Sequence, residues 1–398
     1  DAEPGVTLAR LVVTASTLTT ACGVGWAAQR AALRDGRTGL RRNDFAPAAD
    51  LDTCIGRVDG LEAMSLEGAS APFDCRNHRL ATLALTQDGF AGTVERARTR
   101  YGAARIGVFV GTSTSGILDT ELAARAQGAN GPWAFGASHY RYVHGMAAPT
   151  RFLCHALGVA GVRATVSTAC SSSAKVFAMA QRAIAAGQCD AAVVAGIDSL
   201  ALSTLQGFRA LQLLSKRPCR PFGADRDGIS IGEAAGFALL ERDGDGVALV
   251  GTGESSDAFH MSSPSPDGAG AQAAMRAALA AAGIAPRDVD YVNMHGTGTP
   301  ANDAAEGAAV AAVVGGDVPC SSTKGWTGHA LGAAGIVEAL FAVDAIASGM
   351  IPGNLGGEDV DPRVPVRIER ATREHAVRRA MSNSFGFGGS NCSLVFAA

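Results

Sequence analysis

GVRATVSTACSSSAKVFAMAQRAIAAGQ, residues 161–188, reads as a strand, a sharp turn and a helix. Gly161–Ser167 is short and rich in β-branched residues, the composition of a strand. From Ser171 to Gln188, Ala, Val, Phe and Met recur at roughly helical spacing behind serines suited to capping. Cys170 falls at the elbow and faces the positive end of the helix dipole, which lowers a thiol from its usual pKa of about 8.5. A cysteine alone in such a place is more often a small buried residue. Its chemistry therefore rests on what else the chain carries.

Two histidines lie in glycine-rich surroundings. His295 opens HGTGTP (295–300) after the strand-like run Asp290–Met294, which puts an imidazole at a strand's carboxyl end. His329 lies within KGWTGHALGAAG (324–335), ahead of Ala330–Leu340, which reads as a helix. Glycines beside each histidine permit close approach of a ligand. Two neutral imidazoles donating to one oxygen stabilise an enolate as a carboxylate departs. Lys324 stands five residues before His329, and the chain has only two other lysines, Lys175 and Lys216. The segment NSFGFGGSN (383–391) closes the set; no nucleotide-binding pattern surrounds its glycines.

Around these motifs short apolar strands alternate with Ala-rich helices. Strands are expected at Val12–Thr20, Ile106–Val110, Ala164–Ser167, Ala191–Ala195, Ala235–Glu241, Tyr291–Met294 and Cys392–Phe396. Helices are expected at Ala81–Arg96, Lys175–Ala186, Ala271–Ala282, Ala304–Val314 and Ile336–Ser348. Such alternation predicts layered α/β architecture on a mostly parallel sheet. Residues 207–233 and 260–270, rich in Pro, Gly, Ser and charge, read as loops. The halves show no obvious sequence repeat.

Composition narrows the class. With 398 residues, 47% of them hydrophobic, the chain can bury one large core or two similar ones. A net charge of −3 gives no general attraction to nucleic acid or anionic membranes. Nine cysteines are scattered with no C-x-x-C pair, which argues against zinc sites and a disulfide framework and for a reducing cytoplasm. Leu8–Ala28 is moderately apolar but interrupted by threonines, so it reads as the first strand and not as a leader or a membrane span; residues 1–5 read as a tail. Lys216, Arg217 and Arg220, with Arg76, Arg79, Arg96, Arg98 and Arg100, are either solvated surface or a docking face for an acidic protein. His260 either shapes a cavity or is simply packed.

These motifs, in this order, resemble a β-ketoacyl-acyl carrier protein synthase, an elongating condensing enzyme of the thiolase superfamily with one cysteine and two histidines. Residues 221–236 and 257–264 resemble further family segments, with Ala234 in place of a glycine. The pattern runs from about residue 105 to 396, and the first hundred residues match more loosely. The resemblance implies an α/β, duplicated, five-layer αβαβα fold, with residues 1–250 carrying the cysteine and 251–398 the histidines. It implies an acyl chain on Cys170, with His295 and His329 holding the malonyl thioester oxygen during decarboxylation. Lys324 would organise the site with Glu306 or Glu338. The N–H groups of Cys170 and Phe387 would form the oxyanion hole, Phe387 would gate the acyl pocket, and Phe385 would line the substrate site. Thr297 and Thr299 would hold the pantetheine arm, and Thr114 would sit at the acyl tunnel, where a hydroxyl suits a less purely aliphatic chain.

No resident cofactor or metal is implied, because the substrates ride on the phosphopantetheine of acyl carrier protein. The implied partners are that carrier and either a second copy or a chain-length-factor-like homologue, with residues 111–117 at the interface. Thr-Ser-Thr-Ser (112–115) and Ala169–Ala174 resemble synthases of aryl polyene secondary metabolism more than housekeeping enzymes. A thiolase or an initiating enzyme acting on CoA thioesters is the alternative; a second cysteine or an asparagine would replace one histidine there. A chain-length-controlling subunit usually lacks the nucleophile that Cys170 supplies.

Overall fold

The computed structural model describes residues 10–127, 136–356 and 359–398. The expected tail at residues 1–5 and the start of Leu8–Ala28 lie outside them. The architecture rests on two sets of five strands. The first comprises β1 (Leu11–Thr20), β2 (Ile106–Gly111), β3 (Arg163–Val166), β4 (Ala191–Asp198) and β5 (Ala234–Glu241). The second comprises β6 (Val247–Ser256), β7 (Tyr291–Asn293), β8 (Cys320–Ser321), β9 (Arg379–Gly386) and β10 (Ser390–Ala397). The spatial orders are β3-β2-β4-β5-β1 and β8-β7-β9-β10-β6, so both sets follow the same third-second-fourth-fifth-first connectivity. In each, the second strand runs parallel to the third and fourth, and the fourth-to-fifth and fifth-to-first pairings are antiparallel. The duplication that the sequence conceals is plain in the pairing.

Leu11–Val13 pair antiparallel with Val247–Leu249 and join the sets into one continuous sheet. That sheet is mixed, not mostly parallel as the alternation predicts. One antiparallel pairing has a local reason: β9 turns straight into β10 through Phe387–Gly389, and so short a connection can only return antiparallel.

Helices fill three layers. Phe177 and Ile184 of α3 (Ser172–Ala185) and Leu340 and Phe341 of α6 (Ala334–Ser348) share one core with Phe109 and Val194 of the first set and Leu394 and Phe396 of the second. Outside, α1 (Arg76–Leu85) and α2 (Phe90–Tyr101) cover the far face of the first set. On the other side α4 (Ala269–Ala282) and α5 (Pro300–Val314) cover the second. This is the duplicated five-layer αβαβα arrangement. The stretch Leu331–Ser348 is long and apolar enough to cross a bilayer, with mean hydropathy 1.7, yet 83% of it is buried in this central layer.

The expected helix Ala81–Arg96 is two helices. Asp88 and Gly89 both adopt positive φ (53° and 68°) and break it. The break turns the Asp88 carboxylate onto the Thr17 hydroxyl (2.8 Å) and the Trp26 N–H (3.1 Å). The helix expected directly after His329 starts as a 3₁₀ turn, Leu331–Ala333. A helix at Leu202–Ala210 reaches into the expected loop 207–233, and Ala269–Gly270 of the expected loop 260–270 belong to α4. All nine cysteines are free and buried.

The two central helices touch through backbone. A Cβ added to Gly335 would lie 2.4 Å from the Ala174 nitrogen. Gly335→Ala is therefore expected to destabilise the chain by about 1–3 kcal/mol through overpacking, read as a lower midpoint in urea unfolding.

Candidate active site

The loops that follow β2, β3, β7 and β8 gather at the carboxyl ends of parallel strands, where α/β folds place their chemistry. After β3 the chain turns through Ala169 at φ 52°, a conformation disfavoured for any residue with a Cβ. Ser172 holds that turn: its Oγ accepts the Thr168 N–H (2.8 Å) and its hydroxyl donates to the Ala169 carbonyl (2.5 Å). Cys170 thus stands two residues before the first residue of α3, 5% exposed.

The structure brings Cys170, His295 and His329 together. A ligand atom from each lies within 4.8 Å of the other two, and the imidazole rings meet edge to face at 5.3 Å. Both rings are oriented from behind. His329 Nδ1 accepts the Leu331 N–H (3.1 Å), and His295 Nδ1 faces Lys324 Nζ at 3.1 Å. An ammonium only donates, so Nδ1 of each ring is an acceptor and Nε2 carries the proton. Burial and the Lys324 charge hold both imidazoles well below their ordinary pKa, hence neutral. Two N–H groups therefore face the sulfur. This does not fit a metal: the nitrogens that would ligate are protonated, and a buried ammonium stands behind His295.

Lys324 also donates to the His295 carbonyl and to Glu338. Glu338, pushed up to about 7 by burial, accepts in addition from Ser384 (3.3 Å). Glu306 does not contact Lys324. Its carboxylate accepts the N–H groups of His295 and Gly296 (both 2.7 Å), and burial pushes it up to about 8. Of the two acids that spacing offered, Glu338 pairs with the lysine and Glu306 holds the histidine's backbone.

The expectation for the Cys170 thiol is overturned. Burial raises it to about 11, against the Lys324 charge and the N–H groups of Phe387 and Cys170 itself. Desolvation outweighs whatever a helix terminus contributes. The same two N–H groups converge on the sulfur from the elbow and the 387–389 turn.

Cys170, His295 and His329 open into a cavity of about 230 Å3, which Thr297, Thr299, Phe385 and Phe387 also line. The two threonine hydroxyls bond each other (2.8 Å), and Phe385 lies 6.2 Å from His295 between ring centres. Thr114 does not line this cavity. It is fully buried and spends its hydroxyl on Asp198 (2.8 Å), so it gives no reason to prefer a less aliphatic chain. His260 is exposed and does not line it either. Arg76 is not a docking group: it is buried and paired with Glu233 at 2.6 Å.

Other site residues escaped the sequence. Asp303 accepts the N–H groups of Thr297 (3.0 Å) and Gly298 (3.2 Å) and shapes the loop behind His295. Phe208 packs on Phe387 at 5.6 Å between ring centres. Asn391 donates to Asp257 (2.6 Å), and Gly388 donates to the Met261 carbonyl (2.9 Å), which seats the 387–389 turn on residues 257–261. Asp257, Gly388 and Asn391 lie in the segments 257–264 and 383–391 without a role of their own there. Asp303 carried a local signal, an acid in the first turn of a helix with Pro300 at its start, and Phe208 carried none.

The N-terminal domain of β-ketoacyl synthases matches residues 72–246, and its C-terminal domain matches 247–358. The chain belongs to the β-ketoacyl synthase family. It is 36% identical over 328 residues to 3-oxoacyl-[acyl-carrier-protein] synthase 2 of Vibrio cholerae, covering 74% of this chain and 76% of that one. It is 41% identical over 264 residues to the mitochondrial 3-oxoacyl-[acyl-carrier-protein] synthase of Arabidopsis thaliana, a stretch spanning 61% of this chain and 57% of that one. Among solved structures, a Xenorhabdus doucetiae ketosynthase (ApeO), in complex with its chain length factor (ApeC), superposes with a TM-score of 0.88 at 36% identity over the whole of both chains. A β-ketoacyl synthase from Burkholderia phymatum superposes with a TM-score of 0.85 at 28% identity, covering 98% of this chain and 99% of that one. The fold of this synthase is thus the thiolase-like fold of ketosynthases.

Because the buried thiol is protonated at neutral pH, alkylation of Cys170 in the ligand-free synthase is expected to keep accelerating as pH rises towards about 11. Iodoacetamide labelling followed by peptide mass checks this. A plateau near about 8.5 would mean that burial does not control the thiol.

Proposed function

We propose that this synthase joins an acyl chain, held as a thioester on Cys170, to the two-carbon unit left when malonyl-acyl carrier protein loses carbon dioxide, in fatty-acid or polyketide synthesis. The observation that carries the reading is a buried thiol facing two imidazoles, each obliged by its Nδ1 partner to present Nε2–H.

In the first half-reaction the Cys170 sulfur attacks the acyl thioester, and the N–H groups of Cys170 and Phe387 receive the tetrahedral oxyanion. The carrier's thiolate leaves and takes up the proton that the cysteine gives up, so a thiol protonated at rest suits the exchange. In the second, malonyl-carrier enters. Its carboxylate departs as carbon dioxide while Nε2–H of His295 and of His329 hold the thioester oxygen as an enolate. The new carbanion attacks the acyl thioester on Cys170, the carbon–sulfur bond breaks, and the departing thiolate takes one proton from solvent, the one proton the condensation consumes. The product is a β-ketoacyl-carrier longer by two carbons.

Burial and Lys324 keep both histidines neutral, Lys324 orients His295 as the Leu331 N–H orients His329, and Thr297 and Thr299 offer hydroxyls to the pantetheine amides along the cavity. Phe387 gates the way from the cysteine to the acyl pocket. The synthase works as a dimer, with a second copy or with a chain-length-factor homologue. Full-length similarity to a ketosynthase solved with its chain length factor supports the second pairing.

His295→Ala and His329→Ala are each expected to lower malonyl-carrier decarboxylation by about 10²–10³-fold, while acylation of Cys170, read by intact-protein mass, persists. Cys170→Ala is expected to reverse the pattern, losing acylation and keeping decarboxylation. Loss of both half-reactions in every variant would sink this division of labour.

A further inference from the structure

Asp198, at the end of β4, carries no signal in the sequence and does not line the cavity, yet it is fully buried and contacts no cation among the described residues. Its Oδ1 accepts from the hydroxyls of Thr112 (2.7 Å) and Thr114 (2.8 Å) and from the Thr114 N–H (2.8 Å). The Ser113 N–H is shared between Oδ1 (2.8 Å) and Oδ2 (3.0 Å). Both hydroxyls donate to the carboxylate while each oxygen accepts a backbone N–H in turn, Thr112 Oγ1 from Ser115 (3.0 Å) and Thr114 Oγ1 from Ser199 (3.2 Å). Such a cradle needs an acceptor-only group.

The remaining contact leads to the active site. Oδ2 accepts the Ala333 N–H (3.1 Å), which Ala333 shares with the Ala330 carbonyl (2.9 Å). Ala333 ends the turn that begins at Leu331, and Leu331 has φ 53° despite its branched side chain. That conformation is costly unless its surroundings impose it. The turn is pressed against the cradle: a Cβ on Gly332 would lie 2.7 Å from Ser113 Oγ and 2.8 Å from Asp198 Oδ2. It is the N–H of the strained Leu331 that caps His329 Nδ1 and fixes its tautomer.

We propose that Asp198 is a positioning residue for His329, gripping the Leu331–Ala333 turn so that the Leu331 N–H stays on Nδ1 and Nε2–H stays aimed at the substrate oxygen. The arrangement extends the condensing reading and depends on it for its kinetic consequence alone. The substitution that tests it is Asp198→Asn. With the amide oxygen left on the crowded Oδ1 side, the amide NH2 faces the Ala333 N–H, donor against donor, and the grip is lost while volume is kept.

Two readouts are needed, both on the full chain. The ¹⁵N signals of histidine-labelled protein, with His329 assigned through His329→Ala, report the tautomer without any substrate. In the wild type one proton-bearing and one acceptor nitrogen are expected; in Asp198→Asn the pair is expected to move towards averaged values. Malonyl-carrier decarboxylation is expected to fall by about tenfold or more through lost orientation, with acylation of Cys170 little changed.

Unchanged tautomer signals in Asp198→Asn would overturn the proposal, whether or not both half-reactions fall together through general loosening. Should Asp198→Asn not fold, Thr114→Val, which removes one of the cradle's donors, is expected to move the same signals in the same direction by less; no movement overturns the proposal there too. A wild type that performs neither half-reaction would defeat the condensing reading, and the tautomer signals would still decide the place of Asp198.

Discussion

The site is organised around one buried ammonium. Lys324 is 1% exposed, and each of its three donors is taken: the His295 ring, the His295 carbonyl and Glu338. A charge so placed is tolerated only because its partners are complete; stripping one partner from a buried pair typically costs about 3–5 kcal/mol. The lysine therefore fixes the geometry of its surroundings. Together with burial, the larger cause, it keeps His295 from taking a proton; it sets which nitrogen carries the hydrogen, and pulls down both the carboxyl of Glu338 and the thiol of Cys170 against the burial that pushes them up.

The duplicated topology explains how residues more than a hundred positions apart reach that charge. In the first half the chain leaves the third strand, turns, and enters the central helix α3; Cys170 is in the turn. In the second half the chain leaves the third strand, passes Lys324 and His329, and enters the central helix α6. The two helices lie together between the sheets, so equivalent turns of the two halves are brought face to face. His295 follows the second strand of its half, as Thr112–Thr114 follow the second strand of theirs. One set of loops carries the chemistry, and its counterpart became the cradle around Asp198.

Much of this was legible because the motifs hold their geometry locally. The elbow at Cys170 needs only a strand, a turn and serines within 28 residues, although Ser172 braces the turn where capping of the helix was expected and Ser171 makes no side-chain cap, and the glycines around the histidines mark their loops. Glu306 and Glu338 could not be told apart by spacing, since each sits in the first two turns of the helix that follows a histidine loop; only packing decides which one meets the lysine. Asp88–Gly89 hid inside an apparently continuous helical pattern because Asp88 is held by Thr17 and Trp26 from another part of the chain. Asp198 left no trace because its partners come from residues 112–114 and 333. The thiol departs from its local expectation for a related reason. A dipole can be read from local order, whereas desolvation depends on everything packed around the sulfur.

The shared central layer also bears on how the chain is made. A polypeptide emerging from the ribosome completes β1 to β5, with α1, α2 and α3, long before α6 and the second sheet exist. During that interval Phe177 and Ile184 of α3 have nothing to rest against on their far side, because their partners Leu340, Phe341 and Phe396 are still to be translated. The nascent first half thus carries a large apolar face that only its own later sequence can cover. Transiently exposed surface of that kind invites aggregation and chaperone capture. Synthesis of this synthase is a race between elongation and mispairing, decided by how soon the last helix and strands arrive.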